Sequence, residues 1–179
     1  MSTAIAERPT LERLTDADWR PSATTTIMSW TAALSAQIRP HRALRYPFAG
    51  GEIIVTIPDS SPPWVVPTIE RLGGLLALEQ GWDSYGSPCI DPRYVGAAVR
   101  LILDAMQDDT PVPSVVPTSR GGVQLEWHTR GIDLEVEFVS PYRLRVFWQD
   151  QRTGQVSETE VIQDLRPLTM ALATLSHPR

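Results

Sequence analysis

The chain changes its hydrophobic period near its middle. From residue 65 to 106 apolar side chains recur at helical spacing, and from 123 to 162 they alternate with polar ones as in half-buried strands. In the first stretch Val66, Ile69, Leu72 and Leu76 form one stripe, and Val95, Ala98, Val99, Ile102 and Met106 form another. Two helices are therefore expected, over 65–78 and from Asp91 to about Met106. Asp91-Pro92 is a helix start: the carboxylate accepts from orphan first-turn amides, and proline gives up no bond there. Tandem Gly73-Gly74 weakens the first helix but permits close approach of another element.

In the second stretch Val123, Leu125 and Trp127 share a face, as do Ile132, Leu134, Val136 and Phe138, and then Leu144, Val146 and Trp148. The links "TRG" and "SPY" are short enough for an antiparallel meander. A more polar strand at 155–162 reads as an edge, and a final helix near 164–176 carries Leu165, Leu168, Leu172 and Leu175. Upstream, "EIIVTIP" (52–58) reads as a strand. Thr24 to Ile38 places Ile27, Trp30, Leu34 and Ile38 at helical spacing, against an opening "TTTI" that favours strand. Residues 39–51 read as a basic connector. The fold class predicted is α+β: an antiparallel meander of about four to five strands with helices packed on one face. Residues 1–50 are expected to be an N-terminal arm, partly ordered, and 51–179 a single α+β domain.

Composition narrows the function classes. The 179 residues suffice for one substantial core. A net charge of −5 opposes non-specific nucleic-acid binding. All 16 basic residues are arginine, which removes a Schiff-base or P-loop lysine. No apolar run approaches the roughly 20 residues that span a bilayer, and the start of the chain lacks a secretory pattern. A single cysteine, Cys89, excludes an internal disulfide and fits a reducing compartment. A cytoplasmic protein without membrane attachment is expected.

Candidate chemistry lies in three places. With apolar residues kept inward, the polar face of the meander places His128 opposite Asp133, Glu126 opposite Glu135, and Glu137 opposite Arg145. One reading is an acid/base or oxygen–nitrogen metal site, hence a small metal- or ligand-dependent enzyme. The plainer reading is a solvated ladder of cross-strand charge pairs, because alternation produces one by default and no HExxH or CxxC spacing accompanies it. Arg39, His41, Arg42 and Arg45, followed by Tyr46 and Phe48, form a small basic patch that would pair phosphates with stacked bases. The acidic background favours salt bridges there instead. Cys89 has no flanking arginine or histidine to activate it, and GxSxG and a Gly-rich phosphate loop are both missing. Neither a cofactor nor a metal is expected, and the balance leans away from catalysis.

The third place is the connector "GWDSYGSPCIDP" (81–92). Gly81 is suited to end a helix in the left-handed region, and Asp83 to accept from amides just after it. Trp82 is expected to cap the helix pair and Tyr85 to pack its ring. Two aromatics at one short corner exceed what a turn needs, and Trp and Tyr are preferred anchors at interfaces.

Together with "VPTSRGGVQLEW" the connector carries a likeness. Gly81, Trp82, Asp83, Tyr85, Gly86, Pro88, then Pro117, Thr118, Gly121, Gly122, Val123, Leu125, Glu126 and Trp127 match a GWDxYGxxP…PTxxGGVxLEW pattern. Over residues 70–139 the chain resembles a group of short bacterial proteins of uncharacterised activity. Ser84 departs from the small residue, often glycine, frequent at that point. The resemblance implies a compact bacterial domain with an accessory or paired-gene role, and supplies no reaction. The expected function is thus a non-catalytic protein-interaction domain, regulatory, antitoxin-like or immunity-like, whose partner is encoded nearby. Its expected interaction patch is Trp82, Asp83, Tyr85, Thr118, Arg120, Glu126 and Trp127.

Overall fold

The computed structural model describes residues 24–28, 41–162 and 165–176. Strands β1 (Thr24–Met28), β2 (His41–Phe48) and β3 (Gly51–Pro58) precede helix α1 (Val65–Gly74), which runs on into a 3-10 turn, Leu75–Ala77. Helix α2 (Pro92–Ala105) follows, then β4 (Ser114–Pro117), β5 (Val123–Thr129), β6 (Ile132–Ser140), β7 (Arg143–Asp150), β8 (Gln155–Val161) and helix α3 (Arg166–Ser176).

Strands β4 to β8 form one antiparallel sheet in chain order, and β1, β3 and β2 form a second in that order. The fold is α+β, with the helices packed on the apolar face of the larger sheet. Alternation places Val123, Leu125, Trp127, Leu134, Val136, Phe138, Leu144 and Val146 in the core. The opposite face pairs His128 with Asp133, Glu126 with Glu135, and Glu137 with Arg145, the register that the buried set demands. Helix α2 opens as expected, with Asp91 Oδ1 accepting from the Arg93 amide at 2.9 Å. It touches β5 and β6 as well as β1, while α1 touches β2 and β4, so the helices bridge the two sheets.

The N-terminal elements differ from expectation. Thr24–Met28 is a strand parallel to β3, not part of a helix: the β-branched run outweighs the helical spacing. The remainder of that proposed helix lies outside the described residues. Residues 41–48 are a strand and not a connector, paired with β3 along their whole length. Leu44, Tyr46 and Phe48 supply the period of two, and Leu44 joins the same core as the helices and the larger sheet. The boundary drawn between residues 50 and 51 falls in the tight turn between these paired strands. Tyr46 lies against α1 at Gly73, where an added Cβ would stand 2.0 Å from Tyr46 Cδ1. Only glycine permits that approach, and burial of the ring pushes the Tyr46 hydroxyl up to about 12.

Candidate functional site

The connector between α1 and α2 closes on itself. The Gly81 amide donates to the Ser87 carbonyl at 2.7 Å and the Ser84 amide to the Gly81 carbonyl at 2.9 Å. Asp83 fills the ring so formed: its Oδ1 accepts from the amides of Tyr85 at 3.0 Å and Ser87 at 3.1 Å, and its Oδ2 from the Ser87 hydroxyl at 2.5 Å. That hydroxyl, followed by the two amides, holds the Asp83 carboxyl below the usual carboxylate range. Gly81 has φ +82° as expected, and Ser84 has φ +66°, a left-handed conformation that glycine would adopt at less cost.

The two aromatics behave otherwise than expected. Tyr85 does not pack its ring: it is 93% exposed, at the tip of the closed loop. Trp82 is half-buried, and its indole N–H reaches the Pro88 carbonyl at 3.3 Å, so it braces its own loop. The geometry is that of a rigid corner with a phenol ring held out into solvent.

The second half of the pattern seats this corner. The Asp91 amide donates to the Gly121 carbonyl at 2.9 Å. Gly121 has φ +77°, and a Cβ there would stand 2.8 Å from the Cys89 carbonyl oxygen. Thr118 closes the turn, its Oγ1 accepting from the Gly122 amide at 3.0 Å. The two sequence motifs are therefore two sides of one backbone contact. Arg120 leaves that turn to pair with Glu137. Arg145 also holds Glu137 at 2.9 Å and lies 3.6 Å from Glu158 on β8, so a charge row crosses the sheet from the glycine turn to its far edge.

Two of the expected patch residues stand apart. Trp127 is 2% exposed on the core face, its indole N–H on the Pro111 carbonyl at 2.7 Å, and it cannot meet a partner. Glu126 is on the opposite face, about 13 Å up β5 from the turn at strand rise. There it lies 3.4 Å from His128 Nε2, while His128 Nδ1 lies 2.9 Å from Asp133. The Asp133 contact first, and Glu126 after it, raise the His128 pKa above its ordinary value. Both ring nitrogens are engaged, and among the described residues no group of three or more His, Cys, Asp and Glu could hold a metal ion.

The basic patch is split by the strand it occupies. Arg42 and Arg45 are three residues apart on β2 and so project to opposite faces. Arg42 lies 3.7 Å from Glu70, and Arg45 lies 3.1 Å from Glu52. Arg39 lies outside the described residues; His41 begins β2.

No family model, curated protein or solved structure matches the chain. Function therefore rests on geometry. Among the described residues no helix is long and apolar enough to cross a membrane.

One concave feature was not anticipated. A groove of about 830 Å³ runs between α1 and residues 108–115, lined by Pro63, Trp64, Pro67, Pro111 and Pro113, with Arg71, Asp108 and Asp109 bringing charge of both signs. Two indoles pin the far wall, Trp64 to the Gln107 carbonyl at 3.2 Å and Trp127 to that of Pro111. The prolines of "SPPW" and "TPVP" were the available signal, but each reads as a chain break until the fold brings them together.

Proposed function

We propose that the chain is a non-catalytic protein-interaction domain of a bacterial accessory protein, regulatory, antitoxin-like or immunity-like, whose partner is encoded by a neighbouring gene. The observation that carries this is Tyr85, 93% exposed at the tip of a loop locked by Asp83. A ring in that position adds nothing to the core. Presented on rigid backbone, it loses little freedom when a partner covers it, which is the economy expected of an aromatic anchor. The half-buried Trp82 beside it and the glycine turn behind it support the same reading.

The test uses the full chain. Recovered from its native host, wild-type protein is expected to retain a stoichiometric protein partner, and Tyr85→Ala to bind that partner at least ~30-fold more weakly, the size of an interface hot spot. Stability should be unchanged within ~0.5 kcal/mol, because the ring is exposed. A Tyr85→Ala, Trp82→Ala protein that still held every partner at full strength would sink the proposal.

A further inference from the structure

The larger sheet ends on two unpaired edges among the described residues, β4 and β8. Their outward groups follow from the ladders. In antiparallel pairs the N–H and C=O of one residue point the same way, and successive residues point to alternate neighbours. The Thr118 amide donates to the Gly122 carbonyl at 3.0 Å, and the Gln151 amide to that of Gly131 at 2.8 Å. Carried along the registers, these bonds turn Ser114 and Val116 toward β5 and turn positions 113, 115 and 117 outward. Two of those three are proline, so the β4 edge keeps one outward amide. On β8 the same alternation turns Gln155, Ser157, Thr159 and Val161 toward β7 and leaves Val156, Glu158 and Glu160 outward. None is proline, and every residue from Gln155 to Glu160 is exposed.

The chemistry beside this edge is one-sided. Val156, Glu158 and Glu160 share the outer face with Glu126, Asp133, Glu135 and Glu137, six carboxylates in all, against three guanidiniums, Arg120, Arg143 and Arg145, and His128. Among the described residues Glu158 pairs only with Arg145, at 3.6 Å, which Glu137 holds more closely at 2.9 Å. A second copy pairing antiparallel about Glu158 would set carboxylate beside carboxylate, and like charges directly opposite destabilise a sheet. A strand carrying Arg or Lys at alternate positions meets the opposite situation.

We infer that β8 is a docking edge for an extended cationic segment of a protein partner, which adds as a sixth strand with its Arg or Lys side chains over Glu158 and Glu160. Backbone ladder bonds give the attachment and the alternate charges give the choice. This deepens the partner-binding reading and rests on it. The charge row from Arg120 through Glu137 and Arg145 to Glu158 links the edge to the turn that seats the Tyr85 corner.

The probe is a synthetic peptide of about ten residues, a usual strand length, alternating Arg and Thr. It is titrated into the full chain with amide hydrogen exchange read residue by residue. Binding is expected to slow exchange at Val156, Glu158 and Glu160 by at least tenfold and to leave the already bonded Ser157 and Thr159 unchanged. Glu158→Gln with Glu160→Gln should weaken binding at least fivefold. Val156→Pro, which keeps both carboxylates and removes an outward donor, should weaken it comparably, and the exchange of Leu134 and Val136 reports that the sheet is intact. Peptide binding without the alternate protection, or unaffected by Val156→Pro, overturns the proposal as plain charge adhesion. Self-association through β8 in the absence of peptide overturns it in favour of a second copy. The Tyr85 experiment is read on the native partner and this one on the peptide, so each can fail without the other.

Discussion

β4 and β8 close the same sheet by opposite means. β4 is short, preceded by Pro113 and ended by Pro117, and in contact with α1; its neighbour β5 sends Trp127 into the core. β8 is seven residues long, free of proline, and exposed on both faces until Val161. An unpaired edge is an invitation to aggregation, and proteins blunt it with proline and cover or with charge. Here one edge uses the first device and the other the second. The difference matters because proline removes the donors permanently, whereas charge discriminates between partners: it repels a like strand and accepts an opposite one. The same sheet thus has one edge blunted against every strand, with a single outward amide left, and one closed only to the wrong ones.

The sharpest way to break this comparison is to cut an apolar side chain on each side. Trp127→Ala should cost about 3–5 kcal/mol, since it empties a fully buried site and leaves the Pro111 carbonyl without its donor. Val156→Ala, at a position 55% exposed, should change stability by no more than ~0.5 kcal/mol. Urea denaturation of the two variants measures both. Similar losses would mean that the β8 side carries packing of its own and is not an open edge.

A smaller effect tests the cover over β4. Helix α1 is held down by Tyr46 of the second sheet, whose ring occupies the space where a side chain at Gly73 would begin. Gly73→Ala forces ring or helix to shift and should cost about 1–3 kcal/mol, although alanine is the better helix former. Thermal unfolding gives the sign. A stabilised Gly73→Ala protein would show that the helix seats elsewhere and that β4 is less tightly covered than the contact implies.

The same contrast decides what was legible in the sequence. β5 to β7 could be read with their register, because strict alternation and short links leave one arrangement that buries Leu125, Leu134 and Val146 together; β8 could be read only as a polar edge strand. β4 escaped, since "SVVP" is four residues set among prolines and has no period to detect. β2 escaped for a different reason: Arg42, Arg45 and Pro47 drew attention to charge and breaks, while Leu44, Tyr46 and Phe48 carried the strand signal in plain view. At the corner, the Asx-turn of Asp83, the left-handed Gly81 and the Asp91 cap follow from local backbone chemistry and were foreseen. Whether the Tyr85 ring faces core or solvent depends on elements distant in sequence, and no local rule supplies that. Trp127 adjoins Glu126 in the pattern, but a period of two places neighbours on opposite faces, so the two cannot share one patch.

The finest test uses the one group on the outer face that titrates near neutrality. His128 is raised, chiefly by its contact with Asp133 and then by Glu126, so the folded chain holds this proton more tightly than the unfolded one, whose histidine titrates near ~6.5. Its contribution to stability is complete below that value and is lost as pH rises through the folded value. Asp133 is lowered, first by the Gln151 side-chain amide and then by His128, so its own contribution is present above ~3.9 and is lost as acid titrates it. Half the His128 side chain is exposed, so solvent limits its ion pairs to roughly 0.2–1 kcal/mol. Between about pH 6 and pH 8.5 stability should therefore fall slightly. Over the same interval the outer face loses a positive charge, and its hold on a cationic strand should rise slightly, most visibly at low salt where screening is weak. The two trends have opposite signs and one cause. His128→Gln should flatten both, which unfolding curves and peptide titrations at the two pH values will show; a peptide affinity that fell together with stability would place the attraction somewhere other than this face.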